Sequence, residues 1–161
     1  MRTEQKITPC LWFESEALEA AQFYTALFPD SEVRDVHRSA TDYPGGKMGS
    51  VLLVSFTIAG QNYQALNGGG MHTFNHAISL SVSCEDQAEV DRLWDALTAD
   101  GGAPVACGWL KDKYGLSWQI VPKRLPELMS GPDRAKVKRV MEAMMQMIKL
   151  DVAKLEAAAE G

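Results

Sequence analysis

The sequence predicts an α+β fold in which two β-α-β-β-β modules form one domain and a C-terminal helix follows. Three observations carry this reading. First, Phe23-Tyr24-Thr25-Ala26-Leu27 has a counterpart 70 residues on in Leu93-Trp94-Asp95-Ala96-Leu97, and the strand-like runs Ile7–Phe13 and Ala77–Ser83 stand at nearly the same offset. A repeat that long is no solenoid period and reads as a duplicated module. Second, Ala77 to Ser83 alternates small or polar residues with aliphatic ones, as a strand does when one face rests on a core. Third, Val137, Met141, Met144, Ile148, Val152 and Leu155 recur at spacings of 4, 3, 4, 4 and 3, one apolar stripe along a helix.

The elements follow in order. Residues 6–13 read as the first strand. Residues 15–28 carry Leu18, Ala21, Phe23, Tyr24, Leu27 and Phe28 at mostly helical spacing, with Ser15 as N-cap and Pro29-Asp30-Ser31 as terminator. Residues 31–39 form a second strand with few aliphatics, and Tyr43 to Lys47 is a turn. Ser50–Ala59, rich in Val, Leu, Phe and Ile, is the strongest strand. Gly60-Gln61-Asn62 turns it into Tyr63–Asn67, and Gly68-Gly69-Gly70 ends the module as a flexible linker. After the strand at 77–83, Asp86 caps a helix and Glu89 completes a capping box. That helix buries Val90, Leu93, Trp94 and Leu97 and stops at Gly101-Gly102. Short strands follow near 103–107, 109–114 and 116–122. The modules thus span about 5–70 and 76–123. A helix from Pro132-Asp133 to about Glu160, within a segment at 131–161, packs its stripe on the domain or on a partner chain.

Composition removes several function classes. The chain has 161 residues, 46% of them hydrophobic, enough for one well-packed domain. It has no run of about 18 apolar residues, so a membrane span is not expected, and no signal-peptide core follows the charged N-terminus. A net charge of −5 argues against a nucleic-acid partner; the Lys and Arg residues of 134–139 read as a solvated helix face. Cys10, Cys84 and Cys107 are odd in number and widely spaced, which fits a reducing cytoplasm rather than a disulfide framework.

The stretch Cys107-Gly108-Trp109-Leu110-Lys111-Asp112-Lys113-Tyr114-Gly115, running on through Ser117-Trp118-Gln119 to Pro122, is the most specific motif. With Ile7–Phe13, Phe23-Tyr24, Leu27-Phe28-Pro29, Ala65–Gly69 and Ala77–Val82, it resembles the PhnB-like branch of the vicinal-oxygen-chelate (glyoxalase/bleomycin-resistance/dioxygenase) superfamily. The resemblance covers about residues 5 to 155. This branch carries the label of a 3-demethylubiquinone-9 3-methyltransferase domain. In the superfamily's metal enzymes an Asp-x-x-Gly-x-x-Trp-Glu-type turn delivers a metal-binding glutamate, and here that position is Gln119. The resemblance places the other three ligand positions at Thr8, Ala65 and Ala77. None of the four is His or a carboxylate, and a transition-metal site needs about three or four good N, O or S donors. The metal site is therefore expected to be vacated, with no cofactor. His72 and His76, in the loop between modules, would offer a makeshift site only if they folded in beside Cys10.

If the former ligand positions face a cleft between the two sheets, strand alternation adds their neighbours two residues away. The expected ligand-binding set is Thr8, Cys10, Trp12, Tyr63, Asn67, Ser79, Trp109 and Gln119, with Ser81, Ser117 and Val121 alongside and Lys111 and Asp112 near the mouth. Aromatic walls, hydroxyls, amides and a thiol without fixed charge suit a small, partly aromatic ligand. They suit acid–base chemistry poorly. Cys10 is the one candidate nucleophile, and nothing near it in sequence lowers a thiol pKa.

Three functions stay open. One is a metal-independent protein that binds a small organic molecule. Another is an enzyme of this fold acting through Cys10, Gln119 or a residue of the 40–49 and 68–76 loops. The third is the methyltransferase of the family label, against which stands the lack of a strand, glycine-rich turn and helix in Rossmann order. A homodimer is expected, because superfamily members commonly pair modules across a two-fold axis.

Overall fold

A computed structural model of the chain describes residues 4–161. The chain divides into two compact units, one ending at Phe74 and the other spanning Asn75–Gly161.

The first unit contains β1 (Cys10–Phe13), α1 (Ala17–Leu27), β2 (Glu32–Arg38), β3 (Val51–Ile58) and β4 (Gln61–Asn67). Its sheet is ordered β1-β4-β3-β2, with β1 parallel to β4 and the other pairs antiparallel. The first strand is shorter than expected. Pro9 has no N–H to offer the ladder, and it contributes only its carbonyl, which accepts from Gln64 N at 2.9 Å. The β3–β4 hairpin turns on Ala59 and Gly60, both at positive φ (48° and 79°), as a two-residue turn matched to strand twist requires. Strand β2 lies at the sheet edge and is mostly exposed, so it needs no aliphatic face.

Helix α1 buries Ala17, Ala20, Ala21 and Tyr24, one stripe at helical spacing. Three alanines let the helix lie close to the sheet, and the aromatic series Tyr24, Phe56 and Tyr63 fills the rest, with ring centroids 6.5 and 5.7 Å apart. The expected cap at Ser15 is not made. Glu16 holds the cap position without a side-chain cap bond. Instead Ala17 N donates to Oδ1 of Asn67, 50 residues away in sequence, at 2.8 Å.

The second unit contains β5 (Ser79–Cys84), α2 (Gln87–Thr98), β6 (Ala103–Pro104), β7 (Trp109–Lys111) and β8 (Ser117–Pro122). Its sheet is ordered β5-β8-β7-β6, again with the outer first strand parallel to the last. The two units thus repeat one β-α-β-β-β plan, the paired-module architecture that the resemblance implied. The cap at Asp86 forms as expected, but the Glu89 carboxylate reaches back to the residue before the cap rather than to the Asp86 N–H. Glu89 N donates to Asp86 Oδ1 at 2.9 Å, and Glu85 N donates to Glu89 Oε2 at 2.8 Å. Val90, Leu93, Trp94 and Leu97 are the buried face of α2.

The C-terminal segment departs from the expected single helix. It forms α3 (Arg124–Met129), α4 (Arg134–Met145) and α5 (Val152–Glu160). The break at 146–151 has three causes. Leu150 turns fully into the core, the carbonyls of Met147 and Ile148 accept from Cys107 N and Gly108 N at 2.8 Å, and Asp151 caps α5 through Lys154 N. Leu125, Leu128, Val140, Leu150 and Leu155 form the core of this layer, with Val121 of β8 packed against it. Full burial of each leucine contributes about 2 kcal/mol.

Candidate functional site on the second sheet

Strand register sorts the second sheet into two faces. Ser79 pairs with Ser117, Ser81 with Gln119 and Trp109 with Gln119, so these side chains share one face with Val121. Leu110, Trp118 and Ile120 take the other face and are fully buried. This alternation agrees with the sequence expectation for the second module.

The Asp112–Gly115 turn that leads into β8 is built around a buried carboxylate. Asp112 Oδ1 accepts from Tyr114 N (2.9 Å) and Leu116 N (3.1 Å), and Oδ2 accepts from the indole Nε1 of Trp118 (2.9 Å). Gly115 takes φ 87° and its N–H closes the turn on Asp112 O. The motif's Asp, Gly and Trp therefore form one device that fixes where β8 begins and which way Gln119 faces. The expectation that Asp112 reaches a pocket mouth is corrected: it is 2% exposed and committed to the turn.

Gln119 sits centrally on its face. Its Nε2 donates to Ser79 Oγ at 3.0 Å, while its Oε1 accepts from no group among the described residues. The indole N–H of its neighbour Trp109 likewise has no acceptor among the described residues. Next to them His76 Nδ1 lies 2.8 Å from Ser117 Oγ, and its ring meets Trp109 edge-on at 6.4 Å. A pocket of about 540 Å³ opens on this face. Ser81, Cys107, Trp109, Gln119 and Val121 form its floor, and α3, α4 and Leu150 form its wall with Leu125, Pro126, Met129, Ser130 and Met144. Among the described residues no carboxylate, imidazole or cation lines it. Of the wall residues, sequence reasoning singled out only Met144, through the tail's apolar stripe; Met129 lies in a short helix with too few turns to show a period.

The first unit distributes its candidates differently. Cys10 pairs with Gln64 and Trp12 with Leu66, whereas Leu11 pairs with Ala65 and Phe13 with Asn67. Tyr63 and Asn67 therefore lie on the face opposite Cys10 and Trp12, a correction to the expected shared face. Tyr63 stacks on Phe56, and burial raises its phenol pKa. Asn67 is buried, with Oδ1 on Ala17 N and Nδ2 donating to Val51 O at 3.0 Å. Ala65 is fully buried on the same face. Thr8 lies half-buried before β1 begins. Trp12 donates from Nε1 to Gly69 O at 2.8 Å and meets the His72 ring edge-on at 4.9 Å. Its ring lies so close over Gly68 that a Cβ there would approach to 2.2 Å.

Neither Cys10 nor Cys84 is activated. Surrounding protein raises the Cys10 pKa, and burial, followed by the Glu89 carboxylate, pushes Cys84 up to about 12. Among the described residues no three of His, Cys, Asp and Glu gather as a metal would require. The positions that the resemblance matches to metal ligands offer a hydroxyl at Thr8, no donor at Ala65 or Ala77, and only a neutral amide oxygen at Gln119. That donor set does not fit a divalent ion. A Rossmann-type cofactor seat does not fit either. The strand-to-helix turns are Glu14-Ser15-Glu16 and Glu85-Asp86, acidic where that seat needs glycine. Among the described residues no helix is long and apolar enough to cross a membrane.

Two β-α-β-β-β units, the second with a glutamine in its last strand, are the plan expected of a PhnB-like protein. Residues 5–121 match the model of the 3-demethylubiquinone-9 3-methyltransferase family, and the chain belongs to that family. A PhnB protein from Bacillus cereus is 39% identical, with a TM-score of 0.66 over 73% of this chain and 99% of its own. A protein from Pseudomonas aeruginosa shares the fold at 17% identity and a TM-score of 0.61, over 74% of this chain and 98% of its own. A glyoxalase/bleomycin resistance protein from Albidiferax ferrireducens aligns at 12% identity and a TM-score of 0.44, over 69% of this chain and 92% of its own. No curated protein matches the chain.

Proposed function

We propose that this protein binds a small, uncharged organic molecule without a metal ion, on the Gln119 face of the second sheet. One observation carries the reading. Trp109 and Gln119 are register partners, share a pocket of about 540 Å³, and bring it a donor and an acceptor with no partner among the described residues. Ligand pockets are commonly of this volume, mostly apolar, with a few polar groups that orient the guest. A ligand hydroxyl would satisfy both groups, accepting from the indole N–H of Trp109 and donating to Oε1 of Gln119. With Ser79 fixing its nitrogen, Gln119 is already oriented before the ligand arrives. In this reading the superfamily's metal site is vacated, because an amide replaces the carboxylate that a divalent ion would need. Methyl transfer rests on the family's description alone, and the pocket supplies no group suited to proton transfer.

Two measurements test the reading. The purified protein is incubated in turn with Zn²⁺, Ni²⁺, Mn²⁺ and Fe²⁺, desalted and assayed by mass spectrometry; retention is expected below about a tenth of an equivalent for each. Calorimetric titration with naphthol, neutral at pH 7, is expected to show saturable binding that weakens at least about 10-fold in Gln119→Leu and in Trp109→Leu. Near one equivalent of any metal, lost on chelation, would overturn the vacated site. Absence of naphthol binding would overturn the pocket.

A further inference from the structure

The pocket is only partly a product of the family's domain. The family match ends at residue 121, and the Bacillus cereus structure is aligned over 99% of its own length by 73% of this chain. Helices α3 to α5 lie beyond that match. Yet six of the eleven described residues that line the pocket, Leu125, Pro126, Met129, Ser130, Met144 and Leu150, come from this extension, so the wall facing Gln119 is not shared with the matched domain.

The extension is firmly attached at its break. Cys107 N and Gly108 N donate to Met147 O and Ile148 O. From α2, Gln87 Nε2 donates to Leu150 O (3.0 Å) and Gln87 Oε1 accepts from Val152 N (2.8 Å). Gly108 gives Leu150 the room it occupies, since a Cβ there would stand 2.9 Å from Leu150 Cδ1. Against this fixed frame Met129 and Met144 are half-buried and unbranched. Methionine adapts to irregular shapes, and its sulfur favours aromatic rings.

We infer that the C-terminal extension is the ligand-selecting wall of this pocket. The family domain supplies the polar contacts at Trp109 and Gln119, and Met129 and Met144 set the size of an uncharged aromatic ligand held against the indole. The inference rests on the proposed binding function and adds to it the source of selectivity and the ligand class. A wall of two thioethers opposite one indole accepts a flat ring by dispersion and sulfur–aromatic contact, and it rejects a fixed charge because no counter-ion lines the pocket among the described residues.

The test uses the full chain and two neutral probes, p-cresol with one ring and naphthol with two. Dissociation constants are measured by calorimetry for the parent protein, Met129→Ala, Met144→Ala, Met144→Phe and the exposed-face control Met141→Ala. Thermal melts establish that each variant folds. Either alanine variant is expected to shift the ratio of the two constants toward naphthol by about 10-fold, as pocket-size changes of this kind do, and Met144→Phe to shift it toward p-cresol. Met141→Ala is expected to leave the ratio unchanged. If the ratio stays constant in all three pocket variants while Gln119→Leu still weakens both probes, the extension does not select and the binding function stands alone. If the parent protein binds neither probe, both readings fall. Should one alanine variant fail to fold, Met144→Phe and the other alanine decide the matter.

Discussion

Helices α1 and α2 hold the same place in the two modules, yet their N-termini are completed by opposite means. Helix α2 is capped locally, by Asp86 and Glu89 three residues apart on an exposed turn. Helix α1 is capped from a distance, by the buried Asn67 at the end of β4. The consequence reaches the sheets. In the first module the strand-end amide is consumed as a structural part, with its oxygen on the helix and its nitrogen on Val51 O. In the second the helix needs nothing from the sheet, and the amide of Gln119 keeps an oxygen unpartnered among the described residues. A module whose cap is local can give its strand amides to a ligand.

The largest expected effect lies in the turn that sets the direction of Gln119. Asp112→Ala removes one carboxylate that three donors share and leaves buried N–H groups on Leu116 and Trp118 without an acceptor. The cost is expected to be about 3 to 5 kcal/mol in urea denaturation. Asp112→Asn should recover part of it, because an amide oxygen still serves the two backbone donors while the amide NH₂ meets the Trp118 N–H. A loss below about 1 kcal/mol in the alanine variant would mean that the turn stands without its carboxylate.

The capping comparison comes next. Asn67→Ala removes a buried acceptor and a buried donor together and should cost about 2 kcal/mol. Asp86→Ala removes one exposed cap and should cost about 1 kcal/mol. Equal losses, or the reverse order, would break the contrast between the modules. Neither substitution touches the pocket, so naphthol affinity in the folded fraction should stay unchanged.

How much of this was legible in the sequence follows the same contrast. The second module is readable because β5 and β8 alternate cleanly, so parity alone puts Ser79 and Gln119 on one face, as the register has them. In the first module the resemblance to a ligand position turns Ala65 inward, and alanine carries no hydrophobic signal to correct a one-residue slip. Tyr63 and Asn67 move with it, although both face a helix whose alanine stripe leaves space for an aromatic ring and an amide. The stripe from Val137 to Leu155 correctly predicted helix. It could not reveal the break, because the bonds that end α4 come from Cys107 and Gly108, far away in sequence. Asp151 was the local sign, a cap residue inside an apparent helix. The pocket wall was invisible for the same reason: it depends on that break.

The smallest effect sharpens how α2 carries the extension. Lys149 Nζ lies 2.7 Å from Asp91 Oδ1, with the two side chains 39% and 45% exposed. A pair this open to solvent contributes about 0.5 kcal/mol or less. Lys149→Ala should therefore lower stability only slightly at neutral pH. Its pH dependence has a definite sign. The Asp91 carboxyl is held below its ordinary range, first by the hydrogen bond from Lys149 and then by that from Gln87. Its contribution is present above the unfolded carboxylate range and is lost as pH falls through the folded pKa. The Lys149 ammonium is held above its ordinary range, chiefly by the same bond to Asp91, so its contribution is lost as pH rises through the folded pKa. The gap between parent and Lys149→Ala melting temperatures should be widest at neutral pH and close toward both extremes. A gap that persists unchanged at about pH 3 would show that the lysine acts through its packed stem rather than its charge. In that case Gln87 alone would be the polar link between α2 and the extension's break.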